Sequence, residues 1–250
     1  MADPGVPLLG GNSNAPVRYG DRVHRTAGPW SPTVHAYLAH LRSHGVDLVP
    51  EPFGFDEQGR EVLGFLVGAV PAYPLPDLVW SDAYLEDAAR LLRRLHDASA
   101  GFPREGGVWQ QPAREPDEVI SINDFAPYDL VVRNGRIAGV IDLDQASPGP
   151  RIRDLAHLAY RLVPLTAPDD GDGRISTPRE RVRRLRLLAD VYGSAVPAAV
   201  LVAVVPLLGD IAEPAERAGR PDHAAVYRAD AARLASGAEG LLRAAGRPMP

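Results

Sequence analysis

Short apolar runs separated by glycine and proline fill residues 8–70, which is the pattern of strands and turns. Val17 to Arg25 predicts two short strands around a Tyr19-Gly20-Asp21 turn, and Leu9-Gly10-Gly11-Asn12-Ser13-Asn14 a glycine-rich turn ahead of them. Ser31-Pro32 opens a helix, with serine as cap and proline at the first helical position. Val34, Leu38 and Leu41 form its apolar stripe and Gly45 stops it. Phe53 to Phe55 and Glu61 to Val67 read as strands joined by the Asp56–Gly59 turn.

Beyond Pro71 to Pro76, a proline-rich connector, the period becomes helical. Ser81 caps a helix running to Ala98, with Asp82, Glu86 and Asp87 early and Arg90, Arg93 and Arg94 late, as the helix dipole favours. Leu85, Ala88, Leu92 and Leu95 supply its buried face. After residue 152 helices continue almost to the end, interrupted by a loop over Ala167 to Gly173. Leu185, Leu188, Ala189 and Tyr192 stripe one of them, and its Arg181, Arg183, Arg184 and Arg186 are expected on a solvated face.

Composition narrows the chemistry. The absence of cysteine excludes disulfides, thiolate metal sites and cysteine nucleophiles. No lysine occurs either, so all 27 basic residues are arginine, and any phosphate grip must come from arginine or backbone. The net charge of −5 gives no reason to expect a nucleic-acid partner. The N-terminus lacks a basic start followed by an apolar stretch, and the longest apolar run, Val196 to Leu208, falls short of the ~20 residues of a membrane span. A cytoplasmic protein without a membrane partner is expected.

The most informative stretch is Ser121 to Ala156. Asn134-Gly135 between apolar runs predicts a tight hairpin. A regular ladder would set Asp142 opposite Pro127 and make Asp129 its diagonal neighbour on the same face. Asp124 stands on the loop leading in. Spacing alone leaves two readings: turn and cap carboxylates, common in loops, or hard oxygen ligands for a cation such as Mg²⁺ beside a general base.

Ile122-Asn123-Asp124-Phe125-Ala126-Pro127-Tyr128-Asp129, followed by Val140-Ile141-Asp142-Leu143-Asp144, resembles the catalytic region of the aminoglycoside phosphotransferase family. There a His-x-Asp-x-x-x-x-Asn loop precedes a hairpin and an Ile-Asp-Phe-Asp-like strand end. Gly149-Pro150-Arg151-Ile152-Arg153-Asp154-Leu155-Ala156 resembles a further family element, with Asp154 structural, and the likeness covers about residues 8–165.

The resemblance implies an α+β, two-lobed, protein-kinase-like fold. Residues 1–70 would be a small β-rich nucleotide lobe and 71–250 a larger helical lobe. It implies transfer of the γ-phosphate of ATP or GTP to a small-molecule hydroxyl, with Mg²⁺. Asp124 would orient or deprotonate the hydroxyl, and Asp129 and Asp142 would hold the metal. Arg25 would contact the α/β-phosphates, and the backbone of Gly10, Gly11 and Asn14 would cover them. The backbone of Gly64 and Leu66 would meet the base.

The departures are specific. Ile122 replaces the family's loop histidine and removes a hydrogen bond expected to steady Asp124. Asp129 replaces asparagine, and Arg25 replaces lysine. The glutamate partner of that lysine aligns near Val34-His35, so the usual ion pair is absent and Arg25 is expected to lack a glutamate partner. The alternative function is therefore a catalytically impaired or repurposed kinase-like protein that binds a nucleotide or metabolite. His96 and the tryptophans Trp30, Trp80 and Trp109 read as packing residues.

Overall fold

Five short strands, β1 (Val6–Pro7), β2 (Val17–Tyr19), β3 (Arg22–Arg25), β4 (Pro52–Phe55) and β5 (Glu61–Gly64), form one antiparallel sheet in the order β1-β2-β3-β5-β4. The computed structural model describes residues 4–8, 15–165 and 176–245. The glycine-rich turn at residues 9–14 and the loop expected over Ala167 to Gly173 lie outside the described residues. Gly20 enters the left-handed region at φ 58°, which lets β2 fold straight back into β3. β3 then pairs with β5, skipping β4, and Arg25 stands directly across from Glu61.

Two details differ from the expected pattern. β5 ends at Gly64, not Val67, with the Phe65 N–H making one last bond to Asp21 O at 2.8 Å in the register of the β3 pairing. The helix α1 (Ser31–Ser43) has Trp30 at its cap position, with no side-chain cap bond. Ser31 Oγ is occupied by the Gly28 N–H at 3.0 Å, holding the preceding turn. Val34, Leu38 and Leu41 are buried as expected.

The chain divides into two compact units. One comprises Met1–Ala72, Arg94–Asp124 and Tyr128–Pro150, and the other Tyr73–Arg93, Phe125–Pro127 and Arg151–Pro250. The first unit holds the sheet, α1 and two strand pairs, β6 (Val119–Ser121) with β9 (Ser147–Gly149) and β7 (Leu130–Arg133) with β8 (Arg136–Val140). Ser81 Oγ accepts the Tyr84 N–H at 3.2 Å to cap α2 (Asp82–Ser99), whose Leu85, Ala88, Leu92 and Leu95 are fully buried.

Helices α3 (Arg151–Leu162), α4 (Pro178–Tyr192), α5 (Pro197–Arg217) and α6 (Pro221–Ala245) belong to the second unit. The apolar run to Leu208 lies in a helix, α5, that extends to Arg217, and this 21-residue helix is long and apolar enough to cross a membrane by length and composition. In this structure α5 packs on α3 and α6, burying Val200, Leu201, Val204, Leu207, Leu208 and Ala212.

The arginines of α4 are not a uniform solvated face. Arg184 is buried and donates to Leu162 O at 2.9 Å and Trp80 O at 2.8 Å, with Asp82 Oδ1 at 3.2 Å. Arg183 holds both oxygens of half-exposed Asp82, at 2.8 and 2.7 Å. Charge-assisted bonds to buried carbonyls stabilise more than exposed pairs do. Arg184→Gln should therefore lower unfolding free energy by about 2 kcal/mol. Exposed Arg179→Gln should stay within about 0.5 kcal/mol of the parent. Urea unfolding of both variants checks this, and equal effects would contradict it.

Candidate active site

The hairpin β7–β8 begins in the expected register, with Arg133 opposite Arg136 and Val132 opposite Ile137. Past that point Val131 faces Gly139 and Leu130 faces Val140, so Ala138 is an extra, bulged residue. The bulge moves every later pair by one. Asp129 consequently stands across from Ile141, whose N–H donates to its carbonyl at 2.8 Å, and is not the diagonal neighbour of Asp142 in a regular ladder. The bulge coincides with a close approach. A Cβ on Gly139 would sit 2.9 Å from Leu48 O and 2.6 Å from Leu66 Cδ1, while the Val140 N–H donates to that same Leu48 carbonyl.

Beyond β8 the chain turns sharply. Asp142 adopts φ 60° and ψ 58° and starts a single 3₁₀ turn, Leu143–Gln145. A non-glycine residue in this left-handed conformation is held there at a cost, which recurs where a side chain must be aimed. Asp142 meets Arg25.

Arg25 is the centre of the site. Its Nη1 donates to Asp142 Oδ1 at 2.9 Å, its Nη2 to Asp144 Oδ1 at 2.5 Å, and its Nε lies 2.9 Å from Glu61 Oε1. The last is a charge contact without the alignment of a hydrogen bond. Glu61 Oε2 accepts from His35 Nε2 at 3.0 Å, and the His35 ring stacks on Phe55. The expectation that Arg25 lacks a glutamate partner is thus corrected: the glutamate comes from strand β5, and the helix supplies a histidine behind it.

Burial by itself would lower the guanidinium pKa, but the charges of Asp144, Asp142 and Glu61 outweigh it and hold Arg25 above its ordinary value. Burial pushes Asp144 up, against the pull of Arg25. The cluster carries three carboxylates to one guanidinium. Glu61 is fully buried and Asp144 nearly so, whereas the Asp142 side chain is 49% exposed. Asp142 is therefore the carboxylate that an arriving cation can reach.

The loop before β7 is held from another direction. Ile122 is fully buried and contributes packing. Its neighbour Asn123, at φ 65°, donates through Nδ2 to Gln145 O and Ser147 Oγ, both at 2.9 Å. Asparagine tolerates this backbone conformation better than most residues. The Tyr128 O–H donates to Asp124 Oδ1 at 2.9 Å. The steadying bond thought lost with Ile122 is supplied by Asn123 and Tyr128. Asn123 also ties the Asp124 loop to the segment that carries Asp142 and Asp144.

Of the remaining expected site residues, Gly10, Gly11 and Asn14 lie outside the described residues. Gly64 ends β5 with its N–H on Glu51 O at 2.8 Å, and Leu66 follows in the stretch that leaves the sheet. Asp129 is buried at the end of the 3₁₀ turn Pro127–Asp129. Four contributors were not singled out in the sequence: Glu61, Asp144, Asn123 and Tyr128. The alternation of β3 and β5 hints at an opposite-charge pair across strands, but which strands pair is a tertiary fact.

No group of three or more His, Asp or Glu among the described residues forms a ready metal cage. A surplus of carboxylate charge with one exposed member fits a different arrangement. Mg²⁺ is commonly held by one or two carboxylates, with phosphate oxygens and waters completing its shell. The donor set here is all oxygen, as that ion requires.

The family model described as "Phosphotransferase enzyme family" matches residues 108–188. The trifolitoxin immunity protein of Rhizobium leguminosarum bv. trifolii is 35% identical over 196 residues, covering 75% of this chain and 74% of that protein. A choline kinase from Cryptosporidium parvum Iowa II has a similar structure, with a TM-score of 0.67 at 11% identity over 95% of this chain and 91% of that one. The GDP complex of wild-type aminoglycoside 2'-phosphotransferase-IIIa gives 0.57 at 14% identity over 95% and 94%. At such identities these structures establish the fold, which is α+β and kinase-like, with a small antiparallel sheet lobe and a helical lobe.

The tie made by Asn123 can be tested by an isosteric change. Asn123→Asp keeps the shape and tolerates the backbone conformation, but turns an oxygen toward Gln145 O where an N–H donor had been. It should lower unfolding free energy by about 1–3 kcal/mol, measured by urea titration. An unaltered midpoint would show that these bonds do not hold the loop.

Proposed function

Because the chain belongs to the aminoglycoside phosphotransferase group of phosphotransferase enzymes, we propose that it transfers the γ-phosphate of ATP or GTP to a hydroxyl of a small molecule in the cytoplasm. The observation that carries this reading is the ion pair of Arg25 with Asp142, tied through Asn123 to the loop of Asp124. Phosphoryl transfer is chiefly positioning and charge stabilisation, so held carboxylates and a held cation are what it needs.

Asp124, oriented by Tyr128, accepts the proton of the acceptor hydroxyl. The hydroxyl oxygen forms the new bond to the γ-phosphorus. The bond from that phosphorus to the β–γ bridging oxygen breaks, and its electron pair leaves with the nucleoside diphosphate. Arg25 contacts the α/β-phosphates, since each terminal guanidinium nitrogen that meets an aspartate still has a second N–H. The backbone at Gly64 and Leu66 meets the base. Asp142 and Asp129 would hold Mg²⁺, which supplies charge neutralisation at the phosphates when bound.

Purified protein incubated with Mg·ATP or Mg·GTP and a panel of aminoglycosides, amino alcohols, nucleosides and sugars should yield a phosphate adduct by mass spectrometry. Asp124→Ala should reduce that adduct at least about 100-fold. Asp142→Asn should abolish the Mg²⁺-dependent thermal stabilisation by nucleotide. No adduct across the panel, together with no stabilisation by any nucleotide, would sink the reading.

One comparison favours a second reading, protection against a toxin, since a relative at 35% identity carries the name of an immunity protein. Both readings meet if the toxin, or a precursor, is the phosphate acceptor. Expression in a trifolitoxin-sensitive bacterium should then raise survival, and Asp124→Ala should remove the protection. Protection that survives Asp124→Ala would indicate sequestration in place of transfer.

A further inference from the structure

We propose that His35 and Glu61 are positioning residues that set the orientation of Arg25 and, through it, of Asp142. This rests on the reading of Arg25 and Asp142 as parts of a phosphotransferase site. Glu61 is fully buried, and its two oxygens divide their work: Oε1 faces Arg25 Nε at 2.9 Å and Oε2 takes the His35 N–H at 3.0 Å. The contact to Nε lacks hydrogen-bond alignment. A charge contact of this kind acts through the place of the carboxylate, which the hydrogen bond from His35 helps to hold. His35 itself has little freedom, being buried, with its ring 4.9 Å from that of Phe55 at an interplanar angle of 11°.

A guanidinium is planar, so fixing the Nε edge fixes both terminal nitrogens. In this chain those nitrogens meet Asp142 and Asp144. The relay thus runs from α1 through β5 and β3 to the turn after β8. A hydrophobic pair of equal volume would hold the sheet to the helix as well as a buried carboxylate and imidazole do. What such a pair could not do is aim a charged fork.

The test reads the guanidinium directly. The Nε–Hε cross-peak of Arg25 is identified in the ¹⁵N-labelled full chain by its loss in Arg25→Lys. His35→Phe keeps the stack on Phe55 but removes the N–H donor, and should shift and broaden that peak. His35→Gln, which retains a donor, should restore it. Calorimetry with Mg·ATP should show affinity falling about tenfold in His35→Phe and recovering in His35→Gln. If His35→Phe melts too low for spectra, Glu61→Gln removes the charge at constant shape and should give the same shift. A parent-like Arg25 peak in either variant overturns the proposal. A peak that responds as described in a chain that neither binds Mg·ATP nor transfers phosphate would leave the relay standing and remove the phosphotransferase reading.

Discussion

One buried guanidinium holds together three carboxylates from two distant stretches of the sequence. Arg25 meets Glu61 across the sheet, and Asp142 and Asp144 from the turn after the hairpin. Removing one partner from such a group leaves an uncompensated buried charge, which typically costs 3–5 kcal/mol. The cluster therefore stands or falls as a unit, and with it the placement of β3, β5 and the hairpin end. A lysine ammonium is a compact point charge, whereas the arginine fork offers three nitrogens splayed in one plane. In a chain without lysine, that fork suits a site with carboxylates on three sides.

The cluster is also unbalanced, and the imbalance has a direction. Glu61 and Asp144 are enclosed, while Asp142 opens to solvent and sits in a left-handed backbone conformation. Screening by water weakens the Arg25–Asp142 pair relative to the two enclosed ones. The least tightly held carboxylate is the exposed one. An incoming cation would be favoured by the surplus negative charge and would compete with Arg25 only where that competition is cheapest. Such an arrangement holds Asp142 ready without locking it.

Local patterns were legible in the sequence and pairings between distant segments were not. The stripes of α1, α2 and α4 and the Asn134-Gly135 turn follow from periodicity and turn chemistry within a few residues. Asp124 and Asp142 were singled out because their motif lies within one short stretch of the chain. Glu61 was missed because β3 pairs with β5 across an intervening helix and strand, a choice that no local signal records. The bulge at Ala138 carries no glycine or proline of its own, and arises where Gly139 lets the hairpin approach Leu48. Arg184 has the same composition context as Arg183, yet only Arg184 is turned into the helical core, toward the carbonyls of Leu162 and Trp80.

Taken one at a time, the departures from the family pattern look like decay; taken with their neighbours, they compensate. Ile122 removes a polar group from the loop, and Asn123 provides two good hydrogen bonds one residue later. A histidine stands where the helix would carry a glutamate, and that histidine donates to a glutamate supplied by β5. Arginine replaces lysine, and a second aspartate, Asp144, occupies the additional nitrogen. In this site the departures at Ile122 and His35 come with hydrogen-bonded neighbours, while Arg25 Nε and Glu61 Oε1 meet as a charge contact only. The physical cost of keeping Glu61, Asp144 and Arg25 enclosed argues that the arrangement is maintained for what it positions, and Asp142 is the one member of it that solvent can reach.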